Sequence, residues 1–557
     1  MHSQIRHKTE ITRESHIFAQ KVARSITEIQ QRVDTVADIL LFLELQAYDD
    51  SVAKENGYES LHDLAKHVYP FIDMYSNKNA RSKEEYLASL FSDVQSLMRR
   101  IPTALVLMFS WIGSFLLLLV IGVALWLVGF TSQDVRTMIM FSSFLGLTVI
   151  QGSWNAFNVL FSLHYSQGNI DELKRLLTKT YTINGIIIGV TVTAIIVFSI
   201  LMKLPESTVV ISAFMCMAIA LHQTSIMIMY ALKKLTQLMV AYAIGLLAVF
   251  LMFYALADLL PVYVLRYAIA LVVAFGIPSA FTIYNHYKLL GSKHNKKSPV
   301  SEGISSIYSA PTSSTVTLKS RFGIQMWETT FHFLYGLFFF ILIFEDRFIS
   351  WIYNDYTGII PSAVVSMLSF QFNTIYHIGA DISLTIMLLT GLVQYLLLSP
   401  LYEMIHNKSV RLTLTEISGI NKLLRQRYKI MIISSIVTSI TISIILYLVG
   451  PDFVSVVGGT KASLFVLHYS CIANTLLSIF IGNSQFMVLI GKVKHLAILI
   501  IAAVIINGAI GFKFASLNFE YAVFGYLIAS IVLSSISTVY LFKLFKNMAS
   551  ALFARFV

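Results

Sequence analysis

Charge is scarce in this 557-residue chain: only 13% of residues are Asp, Glu, Lys or Arg, where a soluble domain carries about 25%. Cysteine is scarcer still, and both residues, Cys216 and Cys471, lie inside apolar runs, which excludes a disulfide framework or a cysteine metal cluster. No G-x-x-x-x-G-K-[ST] phosphate loop occurs, so the chain is not expected to be its own ATP-driven pump. H-E-x-x-H, C-x-x-C and G-x-S-x-G are absent as well, and no stretch outside the apolar segments reads as an alternating strand-helix domain. An enzyme is not expected, and no cofactor or metal is implied. The N-terminal MHSQIRHKTEITRESH lacks the apolar core of a signal peptide, so the chain is expected to start in the cytosol.

What fills the sequence instead is hydrocarbon: 56% of residues are hydrophobic and the mean hydropathy is +0.72. The expected class is an all-α integral membrane protein. Crossing roughly 30 Å of hydrocarbon at about 1.5 Å per residue takes about 20 apolar residues. Twelve segments fit, at approximately 104–128, 137–163, 182–203, 207–231, 236–257, 262–287, 326–351, 381–404, 430–450, 462–488, 495–516 and 521–544.

Charge placement gives an independent test. With the N-terminus inside, the cytosolic loops and tail collect clusters such as Lys174, Arg175 and Lys179, then Lys293, Lys296 and Lys297, then Arg425, Arg427 and Lys429. The outer ends hold single residues: Arg136, Lys203, Arg266, Arg347, Lys461 and Lys513. This positive-inside alternation survives every crossing, which supports twelve spans with both termini cytosolic in a multi-pass plasma-membrane protein. It also explains the formal charge of +11 without nucleic acid as a partner.

The chain repeats itself. LKRLLTKTYTI from Leu173 matches INKLLRQRYKI from Ile420, with Leu176/Leu423, Leu177/Leu424 and Tyr181/Tyr428 identical at an offset of 247, and QDVRTMIM from Gln133 resembles ADISLTIM from Ala380 at the same offset. Six spans return the chain to the same side, so the two halves are expected to be parallel six-helix lobes, 102–288 and 326–557, joined by a Ser-, Thr- and Lys-rich linker at 289–325. The alignment pairs Asp134 with Asp381 and predicts that Asp381 is a solvated residue at the outer start of the eighth span. It makes 352–379 an extra outer connection, either an interfacial helix or a re-entrant hairpin.

Residues 1–101 form a cytosolic helical region without a span. Val22, Ile26, Ile29, Val33, Val36, Leu40 and Leu43 recur at steps of four and three, the seam of a packed helix, and Tyr86, Leu90, Val94 and Leu97 make a second stripe. Either these helices pack on themselves, or they dock a cytosolic partner or a second copy.

Two polar constellations stand out in the membrane. Gln151, Asn155, Asn158 and Ser162 share one face of the second span, where amides either line a wet cavity or knit helices together. The second is FFFILIFEDRFISWIY at Phe338–Tyr353, which sets Glu345, Asp346 and Arg347 side by side in an apolar run. Roughly 19 residues of the seventh span precede Glu345, placing the triplet near the outer end, and Arg347 and Trp351 are one turn apart, as in helical pairing or a cation–π contact. The triplet is either an outer-edge anchor or a site at the mouth of a cavity.

This layout resembles the multidrug/oligosaccharidyl-lipid/polysaccharide exporter superfamily, with its MATE-like flippase fold, over about residues 102–545. Within it, LYGLFFFILIFEDRFISWIYND from Leu334 is similar to a segment of Pel-type exopolysaccharide exporters, through Tyr335, Gly336, Asp346, Arg347 and Trp351; that family has Lys where this chain has Arg347. The resemblance implies alternating access, with the first, second, seventh and eighth spans lining a cavity. Substrate-cavity candidates are then Gln151, Trp154, Asn155, Asn158, Glu345, Asp346, Arg347 and Trp351, the amides for hydrogen bonds and the Trp rings for stacking on sugars. The implied function is export or flipping of a polysaccharide or lipid-linked oligosaccharide, with membrane lipids and the glycan as partners and a cytosolic synthase docking on 1–101. Two rivals stand beside it: a cation-coupled small-molecule extruder, disfavoured by the lack of a carboxylate deep in spans one to six, and a non-transporting membrane scaffold or sensor.

Overall fold

A computed structural model describes residues 15–23, 26, 36–45, 48–72, 133–166, 170–201, 204–231, 235–255, 273, 275–286, 322–353, 370–408 and 414–546. The predicted first span, half of the sixth, residues 289–321 of the linker and the stripe from Tyr86 to Leu97 lie outside the described residues, as does 354–369 of the predicted outer connection; residues 322–325, assigned above to the linker, are helical and continuous with the seventh span.

Helix is the only regular structure among the described residues. Near the N-terminus come α1 (Val36–Leu45) and α2 (Asp50–Glu55). The long helices follow: α3 (Gln133–Ser166), α4 (Ile170–Leu201), α5 (Glu206–Ala231), α6 (Leu235–Ala255), α7 (Phe322–Ile352), α8 (Thr374–Lys408), α9 (Leu414–Val456), α10 (Lys461–Leu489), α11 (Val493–Ala515) and α12 (Val523–Lys546). Eight segments among the described residues are long and apolar enough to cross a membrane, within α3, α4, α5, α8, α9, α10, α11 and the stretch Phe519–Phe545.

The chain divides into two compact units, one comprising 1–100, 396–430 and 543–557, the other 101–395 and 431–542. In the first, Val22, Ile26, Ile39, Leu43, Leu61, Leu64, Val68 and Ile72 are buried in one apolar core. Of the predicted seam residues, Val22, Ile26 and Leu43 enter that core and Val36 and Leu40 pack against it; Ile29 and Val33 lie outside the described residues. Asp49 caps α2, accepting hydrogen bonds from the Ser51 and Val52 N–H groups at 3.1 and 3.0 Å.

In the second unit the helices meet through apolar stripes, and sequence signals fix where several of them stop. Both α9 and α10 end in a Schellman turn. Gly458 and Gly491 take φ of 79° and 77°, which side chains disfavour. The N–H groups of Gly459 and Lys492 reach back to the carbonyls of Val454 and Met487 at 2.8 Å each. Crossing of α8 and α10 is close enough that a Cβ on Gly379 would run into the Ser463 carbonyl and lie 2.8 Å from the Leu467 nitrogen.

The basic connectors of the repeat are not loops. Leu173–Ile183 is the first part of α4, and Ile420–Ile430 lies within α9, each continuous with the span that follows. Shifted by 247, α3 and α4 overlie α8 and α9 to within several residues, as the sequence repeat requires.

The expectation for Asp381 is overturned. α8 begins at Thr374, seven residues before it, because Asn373 caps the helix: its Oδ1 accepts the Tyr376 N–H at 3.0 Å. Asp381 therefore sits two turns inside α8, paired with protein groups. Residues 374–379, assigned above to an outer connection, belong to the same helix.

Candidate functional site

α7 delivers Asp346 and Arg347 side by side, and the capped first turns of α8 deliver Tyr376, His377 and Asp381. Asp346, Arg347, Tyr376 and His377 are 0 to 1% exposed. Nothing buried this deeply keeps its charge without partners, and the partners are present. Arg347 donates from Nε and Nη2 to Asp381 Oδ1 at 3.1 and 3.0 Å, and from Nη1 to Asp346 Oδ1 at 3.3 Å and to the Ile343 carbonyl. The second Asp346 oxygen accepts the Tyr376 hydroxyl at 2.6 Å. The guanidinium thus bridges two carboxylates on two helices, a task its planar fork suits better than an ammonium does.

His377 has a determined tautomer. Trp351 Nε1 can only donate, and it donates to His377 Nε2 at 2.9 Å; the ring proton therefore sits on Nδ1, which faces Asp381 Oδ2 at 3.3 Å. The imidazole lies between the rings of Phe372 (centroids 4.4 Å apart) and Phe144 of α3 (5.6 Å apart and nearly parallel). Phe144 also stacks on Phe344 at 4.3 Å. The start of α3 joins the same assembly, since Arg136 Nη1 donates to Thr374 Oγ1 at 3.0 Å and Thr137 Oγ1 accepts the Phe372 N–H at 2.8 Å.

Trp351 is not the cation–π partner of Arg347. The guanidinium carbon lies over the Phe344 ring, 5.8 Å from its centroid, while Trp351 is fully buried among Phe348, Phe370, Phe372 and His377. Trp351, four residues on and so on the same face as Arg347, gives its N–H to His377 of α8. Glu345 points elsewhere, beside Gly508 of α11, and its buried Oε2 has no hydrogen-bond partner.

The amide stripe of α3 faces the same helix one level along. A Cβ on Gly336 would collide with the Asn155 side-chain nitrogen and lie 2.5 Å from the Gln151 carbonyl oxygen. Gln151, Trp154, Asn155 and Asn158 are all half-buried; Trp154 packs against Phe157, Phe161 and Met227. The structure thus sets Gln151 and Asn155 against α7, and Asp346, Arg347 and Trp351 against α8, in two neighbouring layers. Ser162 lies in α3, and its side chain is outside the described set.

Sequence reading missed Tyr376, His377 and the inward role of Asp381, together with a second polar group farther along: Tyr526 donates to Asn474 Oδ1 at 2.6 Å, and Asn474 Nδ2 donates to Ser383 at 2.7 Å. A usable signal was present in NTIYHIGAD, where His377 and Asp381 stand four residues apart after a capping Asn. No group of His, Cys, Asp and Glu able to hold a metal ion occurs among the described residues.

No protein-family model matches the chain. No curated protein matches it either. Solved structures do. A crystal structure of the Vibrio cholerae MATE transporter VcmN in its bent form aligns with a TM-score of 0.53 at 13% identity, over 83% of this chain and 99% of that one. A crystal structure of a MATE point mutant aligns with a TM-score of 0.50 at 13% identity, over 84% of this chain and 98% of that one. Over the aligned residues this membrane chain, whose described residues form helices as their only regular structure, is similar in fold to the MATE transporters.

Proposed function

We propose that the chain is a multi-pass transporter of the plasma membrane that works by alternating access and exports or flips a polysaccharide or lipid-linked oligosaccharide. One observation carries the reading: each residue of the exporter-like motif meets another helix. Tyr335 donates to Ser484 of α10 at 2.9 Å, Gly336 admits Asn155 of α3, Asp346 and Arg347 engage Tyr376 and Asp381, and Trp351 engages His377. Among these contacts the approach of Gly336 to Asn155 joins the two halves, and a MATE-like fold would open along that seam, while the others brace α7 within its own half. The half-buried amides Gln151, Asn155 and Asn158 offer a sugar hydrogen-bonding groups once the seam parts, and Glu345, Asp346, Arg347 and Trp351 stand at the neighbouring level. Residues 1–101 are the surface for a cytosolic synthase.

The test is deletion of the gene in its host with measurement of surface glycan, followed by complementation. Export is expected to vanish on deletion, to return with the native gene and to stay low with Asp346→Asn. Unchanged glycan in the deletion strain refutes the substrate assignment.

A cation-coupled small-molecule extruder is the second reading, favoured by the buried cluster of two carboxylates against one guanidinium in the second half of the chain. Purified protein in liposomes separates the two: efflux of a fluorescent organic cation driven by an imposed ion gradient supports this reading and counts against the glycan.

A further inference from the structure

We propose that residues 370–373, at the end of the outer connection, are a strap that holds the outer ends of the two halves together, with Phe370 as its bolt, an inference that rests on the alternating-access reading. The four residues form neither helix nor strand, yet Phe372 and Asn373 are 1% exposed and Phe370 and Gln371 are half-buried. Irregular backbone is held inside a membrane protein where protein groups satisfy it. Here those groups come from both halves. The Gln371 N–H donates to the Trp351 carbonyl of α7 at 3.2 Å, and the Phe372 N–H donates to Thr137 Oγ1 of α3 at 2.8 Å. Asn373 caps α8, so the strap is continuous with that helix.

The Phe370 ring crosses the same boundary. Phe141 of α3 and Phe198, in the last turn of α4, lie with centroids 5.6 Å apart. Phe370 sets its ring edge-on to both, at 5.6 and 6.4 Å, and meets Trp351 of its own half at 5.2 Å. The fastenings on each side decide how the strap moves. Gln371 on α7, the Asn373 cap and the stack of Phe372 on His377 at 4.4 Å tie it to the second half. The Phe372 N–H and the Phe370 ring tie it to the first, beside the bond from Arg136 Nη1 of α3 to Thr374 Oγ1 of α8. When the halves part, the strap therefore leaves with α8, and Phe370 withdraws from the Phe141 and Phe198 pair. Edge-on rings are individually modest contacts, which suits a fastening that is undone in every cycle.

Opening is read as a distance between two sites outside the strap: Glu206 and Lys461, exposed at the outer starts of α5 and α10. Full-length protein carrying Glu206→Cys and Lys461→Cys in a Cys216→Ala, Cys471→Ala background is spin-labelled, placed in lipid nanodiscs and measured by double electron–electron resonance. The parent is expected to show a dominant short distance. Phe370→Ala is expected to raise the long-distance population about fivefold, the shift that loss of a ring pair allows. Phe198→Leu takes the partner ring from the opposite side of the seam and is expected to raise it similarly. Thr137→Val, which removes the acceptor of the Phe372 N–H, is expected to open the protein as well, and Thr137→Ser to restore the parent ratio. Phe514→Ala removes a ring that meets Phe524 inside the second half and is expected to leave the ratio unchanged. Two distances in the parent whose ratio neither Phe370→Ala nor Phe198→Leu moves, or an equal shift in Phe514→Ala, overturn the strap and leave alternating access standing. A single distance in every variant overturns both.

Discussion

Arg347→Ala tests the bridge at its centre. The substitution removes a guanidinium 1% exposed and leaves Asp346, equally buried, facing the gap, while Asp381, with its side chain 24% exposed, keeps partial access to solvent. Removing one partner of a buried ion pair costs about 3–5 kcal/mol. Two features of this site pull the value toward the lower end: Tyr376 still donates to Asp346 at 2.6 Å, and His377 still faces Asp381. We therefore expect a loss of about 3 kcal/mol, the lower limit for breaking such a pair. Arg347→Lys restores the charge but not the fork, and is expected to cost about 1–2 kcal/mol through the hydrogen bonds an ammonium cannot make simultaneously. The double variant Arg347→Met with Asp346→Asn removes the stranded charge together with its partner and should recover at least about half of the single-variant loss. Reversible unfolding of the purified protein in mixed micelles measures all three. If Arg347→Ala lies within about 1 kcal/mol of the parent, or the double variant is no more stable than the single, the claim that the guanidinium neutralises both carboxylates is wrong.

Gly336→Ala forces α3 and α7 apart, with an expected cost of about 1–3 kcal/mol; adding Asn155→Ala should not fully repair it, because the Gln151 carbonyl oxygen still stands 2.5 Å from the new methyl, as thermal unfolding will show. Tyr526→Phe leaves Asn474 Oδ1 without its donor, and a loss of about 1–2 kcal/mol is expected by the same unfolding measurement, membrane-buried hydrogen bonds reaching about 1.7. At the N-terminus, the Ser51 hydroxyl, then the Val52 N–H, hold the Asp49 carboxyl below its ordinary value. Its folded value being depressed, the cap's contribution is present above about pH 4 and fades as pH falls through the folded value; amide exchange across Asp50–Glu55 should quicken there, and Asp49→Ala should remove that pH dependence.

Helix positions in the second half of the chain were legible from hydropathy alone: the tenth to twelfth spans, predicted at 462–488, 495–516 and 521–544, match α10, α11 and α12 within about two residues. Uniform apolar runs leave little to decide, and the first of the three stops at a turn built on Gly491. The eighth span was misplaced by the repeat. Matching Asp134 to Asp381 fixes register but not helix ends, and the Asn373 side chain, bonding its own backbone three residues on, starts α8 seven residues before Asp381. At the site, the triplet Glu345, Asp346 and Arg347 was visible because charge in an apolar run is rare. Its partners were not: Tyr376 and Asp381 lie 30 and 34 residues from theirs, and tertiary packing, which periodicity does not encode, brings them together.

The two halves present matching apolar flanks, and α4 and α9 show it most plainly. Ile183, Ile186, Val190, Val197, Ile200 and Leu201 of α4 are 45 to 74% exposed, as are Ile433, Val437, Ile440 and Leu448 of α9 at 46 to 69%. With 32 and 43 residues, these helices run to roughly 48 and 65 Å, well beyond the roughly 30 Å of hydrocarbon available. Their surplus turns carry Lys174, Arg175 and Lys179 on one and Arg425, Arg427 and Lys429 on the other. Each helix is therefore a plumb line hung from a lipid-headgroup anchor. A thinner or less anionic bilayer would tilt or lift both, and the annular lipid would act on this protein through its periphery before any cargo reached its centre.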